Sequence, residues 1–241
     1  MNPEKKATKN IRAQILHEMK SGMFSQCDKL PRETELSDVL GISRTQLRDS
    51  LAELEREGFI TRRHGVGTVI NRHVLRVKNR MDIETEFMDI IRQNGYHPEV
   101  SNVHVQEGPA DKKIADKLNI EEGEPVIKVS RVCTADGRPA IYCVDIVEKR
   151  FVKGEYSVND LEAPIFQFLQ DFCEINVYMD LTELHAVLAD EKVAEVLEIP
   201  VGTPLLNMEE VDYDIDGAIA FYSSQYFVDE FIQHTVLRKK L

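Results

Sequence analysis

The chain has 241 residues, of which 42% are hydrophobic and 30% charged, and its formal net charge is −12. This length suits two domains better than one, and the composition is that of a globular protein; no apolar run reaches a membrane span, and the N-terminal MNPEKKATKNIRAQIL lacks the apolar core of a secretion signal, so a cytoplasmic protein is expected. The charge is uneven: residues 1–80 hold 16 Lys+Arg against 10 Asp+Glu (+6) and the remainder 14 against 32 (−18), which points, unless it is chance scatter, to one segment suited to a polyanion and one that is not.

In chain order, residues 8–21 fit a helix with Ile11, Ile15, Leu16 and Met19 on one face. FSQCDKLP reads as a loop ending at Pro31. A short helix follows from about Glu33 to Leu40, closed by Gly41. Ser43 is a good N-cap, and Gln46 three residues later completes a capping box. Leu47, Leu51 and Leu54 then repeat at helical spacing as far as Glu57, and Gly58 ends the helix. FITRR and TVINR, around Gly65-Val66-Gly67, read as a two-stranded hairpin. Three helices, the last two joined by a tight glycine turn, followed by a hairpin make a winged helix-turn-helix over residues 1–70.

The stretch 71–81, NRHVLRVKNRM, has five basic residues and no acid, and reads as a basic linker with room for a strand. The second domain, 82–241, holds an internal repeat. KLNIEEGEPVIKVSRVCTADGRPAIYCVDIV from Lys117 and VLEIPVGTPLLNMEEVDYDIDGAIAFYSSQYF from Val196 share a Leu-x-Ile, a Gly-x-Pro, an apolar strand, an Asp-Gly turn and a second apolar strand. Asp-Gly between β-rich runs is a strong hairpin signal. Each repeat follows a short helix, from Ala110 and from Asp190, so the domain is read as two helix-plus-hairpin units in one antiparallel sheet. The fold class is α+β.

In a helix-turn-helix the second helix enters the major groove and offers its N-terminal residues to base edges. Arg44, Thr45, Gln46 and Arg48 occupy those turns, while the leucines face the core. Arginine can grip guanine with two hydrogen bonds or hold a phosphate; which arginine does which stays open. The alternative is that Arg44 and Arg48 are solvated charges paired with Asp49, Glu53 or Glu55, and that Gln46 only completes the capping box. Arg32 starts a helix, where a positive charge is unfavourable, which suggests another use. His64, Gly65 and Gly67 form the wing tip beside Arg62 and Arg63.

LPRETELSDVLGISRTQLRDSLAELEREGFITRRHGVGTVI resembles the DNA-binding domain of the GntR transcriptional regulators. The resemblance implies that Arg32, Arg44, Thr45, Gln46, Arg48, His64 and Gly65 contact double-stranded operator DNA. Arg32 stands where many relatives carry Ser. EEGEPVIKVSRVCTADGRPAIYCVDIV and VGTPLLNMEEVDYDIDGAIAFYSSQYF are similar to the effector-binding UTRA domain of the HutC branch, a six-stranded, chorismate-lyase-like antiparallel sheet with helices. That resemblance implies a homodimer and a small metabolite bound between the sheet and the segment around FMDII. The site residues it points to are Phe87, Met88, Arg131, Cys133, Cys143, Phe221, Ser223 and Tyr226. Met88 replaces a common Ser or Thr, Cys133 replaces the second arginine of an R-x-R pair and leaves Arg131 alone, and Cys143 and Phe221 replace frequent carboxylates. A charged or many-hydroxyl ligand needs matching polar partners, so the expected effector is of low polarity with at most one anionic group. The alternative is that these side chains are plain core.

Cys27, Cys133, Cys143 and Cys173 form no CxxC pair and read as reduced small hydrophobes. His97, His104, His185 and His234 stand alone, so neither a metal site nor a cofactor is expected. The expected function is a ligand-responsive, sequence-specific transcriptional regulator, most simply a repressor released by its effector. A lyase-like enzyme and a ligand-independent DNA-binding protein are the rivals. The enzyme reading lacks a Ser/His/Asp set, a carboxylate pair and a phosphate loop.

Overall fold

The computed structural model describes residues 3–162 and 164–240, with the backbone alone for 3–10; Met1, Asn2, Ala163 and Leu241, included in the expected domain spans, lie outside the described residues. The chain divides into two compact units. One runs to Glu84 and takes in the C-terminal segment from His234; the other is Thr85–Gln233. Among the described residues no helix is long and apolar enough to cross a membrane.

The first unit opens with α1 (Pro3–Lys20), α2 (Glu33–Leu40) and α3 (Arg44–Arg56). Ile11, Ile15 and Met19 of α1 and Leu47, Leu51 and Leu54 of α3 share one buried core, which is the periodicity read from the sequence. Gly41 closes α2 at φ 65°, a conformation that costs glycine no Cβ strain. Ser43 then caps α3. Its Oγ accepts from the Gln46 N–H at 3.3 Å, and the Gln46 carbonyl oxygen accepts from the Ser43 N–H at 3.2 Å. The hairpin is β1 (Ile60–Arg63) against β2 (Gly67–Ile70). The chain near Lys29 bridges to Val69 at its outer side, with the Leu30 N–H donating to the Thr68 carbonyl at 2.9 Å.

Residues 71–81 do not form a linker. They begin with α4 (Arg72–Leu75), whose Val74 and Leu75 are buried in the core of the first unit. Two of the basic residues saturate backbone carbonyls left over where helices end. The Arg72 guanidinium donates to the carbonyl of Met19 in the last turn of α1 and to those of Phe24 and Cys27 just beyond it. The buried Arg80 donates to the Glu57 carbonyl at 2.6 Å, pairs with Asp82 and lies 5.0 Å over the Phe59 ring. A cation at a helix C-terminus is favoured by both the free carbonyls and the helix dipole; composition alone could not distinguish that use from a solvated linker.

The C-terminal segment, assigned from sequence to the second domain, also belongs to the first unit. The Thr235 N–H donates to the Asn79 carbonyl at 2.8 Å, Leu237 packs on the core, and Lys239 Nζ donates to the carbonyls of Glu55 and Arg56 at 2.8 and 2.7 Å. The last turn of α3 is thus closed by residues from the far end of the chain.

The second unit contains α5 (Phe87–Asn94), β3 (Pro98–Pro109), α6 (Lys112–Leu118), β4 (Pro125–Ala135), β5 (Arg138–Glu148), α7 (Ile165–Phe168), β6 (Val177–Leu188), α8 (Glu191–Leu197), β7 (Pro204–Asp214) and β8 (Ile219–Phe227). Its sheet has six strands in the order β3-β4-β5-β8-β7-β6, every neighbouring pair antiparallel. The internal repeat is therefore larger than the sequence reading had it: each half is strand, helix, hairpin. Asp111 and Asp190 cap the equivalent helices by accepting from Ile114 and Val193 N–H groups at 2.9 and 2.8 Å. The two sheet faces have different cover. Ile114, Ala115 and Leu118 of α6 pack on Val126, Ile146, Val211 and Tyr222. On the other face Leu161, Ile165, Phe168 and Leu169 pack on Ile127, Val129, Val147 and Phe221.

Gly58 ends α3 at φ 83°, and a Cβ there would meet Leu237 Cδ2 at 2.5 Å. Gly58→Ala is expected to destabilise the first unit by about 1–3 kcal/mol, measured as a fall in the denaturant midpoint of that unit's unfolding transition.

Candidate nucleic-acid interface and ligand face

The buried leucine face of α3 determines which residues face outward. Arg44, Thr45 and Arg48 are exposed, and Gln46 is half-buried. Arg48 is 69% exposed but not unattached: its Nε lies 3.3 Å from Glu33 Oε2 at the start of α2. Its partner is thus none of Asp49, Glu53 and Glu55. Gln46 does complete the capping box, and its carbonyl oxygen also accepts from Ser43 Oγ at 2.8 Å. That leaves its amide NH2 as the donor it can present outward. Arg32 is the N-cap of α2 in an extended conformation and makes no side-chain cap bond. Its exposed side chain performs no capping, as its position at a helix start suggested.

At the wing, Arg63, His64, Gly65, Val66 and Gly67 are exposed, and Gly65 and Gly67 turn the chain at φ 74° and 100°. Lys29 Nζ steadies the tip by donating to the Val66 carbonyl at 3.1 Å. Arg62 is committed elsewhere: its N–H and its Nε both donate to Glu55, each at 2.7 Å. Burial would raise the Glu55 pKa, but these two hydrogen bonds and the Arg62 charge outweigh it and hold the carboxyl below its ordinary value. Sequence reasoning missed Glu33 and Lys29, and named Glu55 as a partner for Arg44 or Arg48 and not for Arg62, because each acts across a turn or between elements.

In the second unit, strand register assigns each predicted ligand residue to a face. Arg131 lies opposite Cys143, Cys133 opposite Ile141, and Asp145 opposite Ser223. Arg131, Cys133, Cys143, Phe221 and Ser223 therefore share one face, by the two-residue alternation of strands. α5 contributes half-buried Phe87 and Met88, and the Phe87 ring meets Phe227 of the same face edge-on at 6.0 Å. Tyr226 is not part of this group. It pairs with Tyr142 and stacks on it at 6.0 Å on the opposite face, one residue out of step.

Arg131 is not alone. The buried guanidinium pairs with the buried Asp145 carboxylate, whose second oxygen accepts from Ser223 Oγ at 2.8 Å. Gln225 extends the row by donating to Ser223 Oγ at 3.3 Å and to Glu210. Burial alone would lower the Arg131 pKa, but the Asp145 carboxylate more than offsets it. Burial pushes the Cys133 thiol up to about 12 and Cys143 well above its ordinary value, so both stay protonated. Burial likewise raises the pKa of Glu86, the N-cap of α5, against the opposing pull of Arg131. Asp145, Gln225 and Glu86 were missed from sequence; Asp145 stands fourteen residues from Arg131, and only the strand pairing brings them together.

On the other face, Glu183, His185 and Glu209 bring ligand atoms within 4.8 Å of one another, so His185 is not isolated as the sequence suggested. Lys113 and Lys117 pair with these carboxylates.

The UTRA domain model matches residues 93–232, and the model of bacterial regulatory proteins of the gntR family matches residues 7–70. The HTH-type transcriptional regulator YurK of Bacillus subtilis is 25% identical over 207 residues, 83% of this chain and 81% of the relative. The HTH-type transcriptional repressor NagR of the same organism is 25% identical over 208 residues, 86% of this chain and 84% of the relative. The crystal structure of the possible transcriptional regulator YydK, also from B. subtilis, is similar with a TM-score of 0.78 and 22% identity, covering 97% of this chain and 99% of the other. These relatives are regulators and not enzymes.

Removing one member of a buried ion pair strands the other. Asp145→Asn is expected to cost the second unit about 3–5 kcal/mol, measured by denaturant unfolding. Alkylation of the native protein near neutral pH, followed by mass spectrometry, should modify the half-exposed Cys27 and spare Cys133 and Cys143.

Proposed function

The chain belongs to the UTRA-domain regulators of the gntR family, and from that premise we propose that it acts as a homodimer of the HutC branch, gripping operator DNA with its first unit and answering to a small effector of low polarity in its second. A helix whose buried leucines leave Arg44, Thr45 and Arg48 on its outer side is the observation that carries this reading. Such a helix fits the major groove, which is wide enough to admit it and presents guanine acceptors that arginine can bridge. Arg44, Thr45, Gln46 and Arg48 are the proposed base and phosphate contacts. Arg32 reaches the backbone beside them, and His64, Gly65 and Gly67 bring the wing against a neighbouring groove. Two copies would address half-sites about 34 Å apart on a pseudo-palindrome.

Phe87, Met88, Cys133, Cys143 and Phe221 present mostly apolar surface to a ligand, with Ser223 and the Arg131–Asp145 pair as its polar floor. The pairing weakens the case for an anionic effector, because an incoming carboxylate or phosphate would have to displace Asp145 from Arg131. Tyr226, on the other face, has no part in this site. As in a repressor, the effector would favour one arrangement of the DNA-binding heads over another, since a ligand shifts only an equilibrium between states that it binds unequally. Residues 71–81 are part of the first unit's core, so they move with it. The signal passes instead through the two places where the chain crosses between units, Glu84–Thr85 and Gln233–His234.

Duplexes selected from a random pool give the operator, and titration of it gives the affinity. Arg44→Ala and Arg48→Ala are each expected to weaken binding by about 5- to 150-fold. Unchanged affinity in a folded double variant would refute the reading. Across a metabolite panel in thermal shift, the strongest stabiliser is expected to be weakly polar; a polyhydroxylated sugar phosphate would overturn the effector assignment.

A further inference from the structure

Glu86 opens α5 one residue before Phe87. Its half-buried side chain makes no cap hydrogen bond and, among the described residues, no ion pair. The cations around it are committed elsewhere. Arg131 is bonded to Asp145, and Arg92 of α5 holds Asp89 at 2.7 Å. Burial and the charges of Asp89 and Asp145 push the Glu86 pKa up, and the pull of Arg131 does not restore it. A carboxylate drawn partly out of water without a counter-ion is costly.

The sheet beside it has the same sign of charge. Strand register sets Asp145, Glu210 and Asp212 on the ligand face, where Arg131 is bound to the first of them. Gln225 holds Glu210 through an uncharged amide. Arg138, at the start of β5, is held by Glu230 at 2.8 Å. Counting Glu86, four carboxylates thus stand around one guanidinium.

We infer that the ligand of the second unit is an amine, with an apolar body and one positively charged nitrogen that pairs with Glu86 while the carbon skeleton lies against Phe87, Met88 and Cys133. The inference rests on the effector reading above and deepens it by naming the charge. An anion would approach four carboxylates and have to part Asp145 from Arg131. A neutral hydroxyl can donate to Glu86 but leaves its charge unbalanced. A second ammonium has no equivalent place, because Asp145 already holds Arg131 and Ser223, and Glu210 holds Gln225. One ammonium balances Glu86 and leaves the Arg131–Asp145 pair intact, and charge-assisted hydrogen bonds of this kind are the stronger ones.

Calorimetric titration of the full-length protein with phenethylamine, phenethyl alcohol and hydrocinnamate compares ligands of similar shape and different charge. Hexylamine, hexanol and hexanoate repeat the comparison without the ring. In each set the amine is expected to bind most tightly, by about 10-fold or more over the alcohol, and the carboxylate most weakly. Glu86→Gln keeps the side-chain shape and removes no cap bond. It is expected to weaken the amines by about 10- to 150-fold and to leave the alcohols unchanged. Alcohols or carboxylates that bind as tightly as the amines, or amines that ignore Glu86→Gln, overturn the cationic ligand while a weakly polar effector stands. A protein that binds none of the six at millimolar concentration also overturns the cationic ligand. A polyhydroxylated sugar phosphate as the strongest stabiliser of the wild-type protein overturns both.

Discussion

Burial of Leu47, Leu51 and Leu54 against α1 is the constraint on which the DNA-binding end depends. Each fully buried leucine contributes about 1.5–3 kcal/mol from the apolar area removed from water. The rotation of α3 about its own axis is therefore strongly fixed, and with it the outward bearing of Arg44, Thr45 and Arg48. Both ends are closed as well. Ser43 and Gln46 satisfy the first turn, and Lys239 and Arg80 take carbonyls of the last. A helix held along one face and at both termini meets DNA already ordered, so little conformational freedom remains to be lost on binding.

The positive charges of the first unit fall into two groups by what they touch. Arg12 pairs with Glu57, Arg62 with Glu55, and Arg72, Arg80 and Lys239 hold backbone carbonyls. These support the scaffold. Arg32, Arg44 and Arg63 remain exposed on the helix starts and the wing. A net balance of +6 over residues 1–80 thus overstates what is available to a polyanion while locating it in the right third of the chain. Arg48 lies between the two groups, since Glu33 orients it without burying it.

What was legible in the sequence follows the range of the interactions. Gly41, the Ser43–Gln46 box and the leucine spacing act within a few residues, and α2, α3 and the hairpin stand where they were expected. The repeat was legible because its signals, Asp caps and Asp-Gly turns, are also local. Three features were not. The cations of 71–81 are used on carbonyls up to fifty-three residues away, the C-terminal segment returns to α3 across more than 180, and Asp145 meets Arg131 only through strand pairing. The strands β3 and β6 were missed because edge strands lack the two-sided burial that makes β4 and β5 read as apolar runs.

Those two strands are equivalents in the repeat, and they differ as edges. β3 carries a bulge between Ser101 and His104, with Asn102 at φ 51°, and its Val103 and Val105 turn toward the core. A bulge bends the strand and interrupts the row of backbone groups that a second strand would need. β6 has its one irregularity at its first residues, then stays regular and exposes its large apolar side chains. Equivalent positions of the repeat are thus interrupted by a bulge at one edge of the sheet and regular at the other. The β6 edge, regular and apolar, thus lacks the device that blunts the β3 edge.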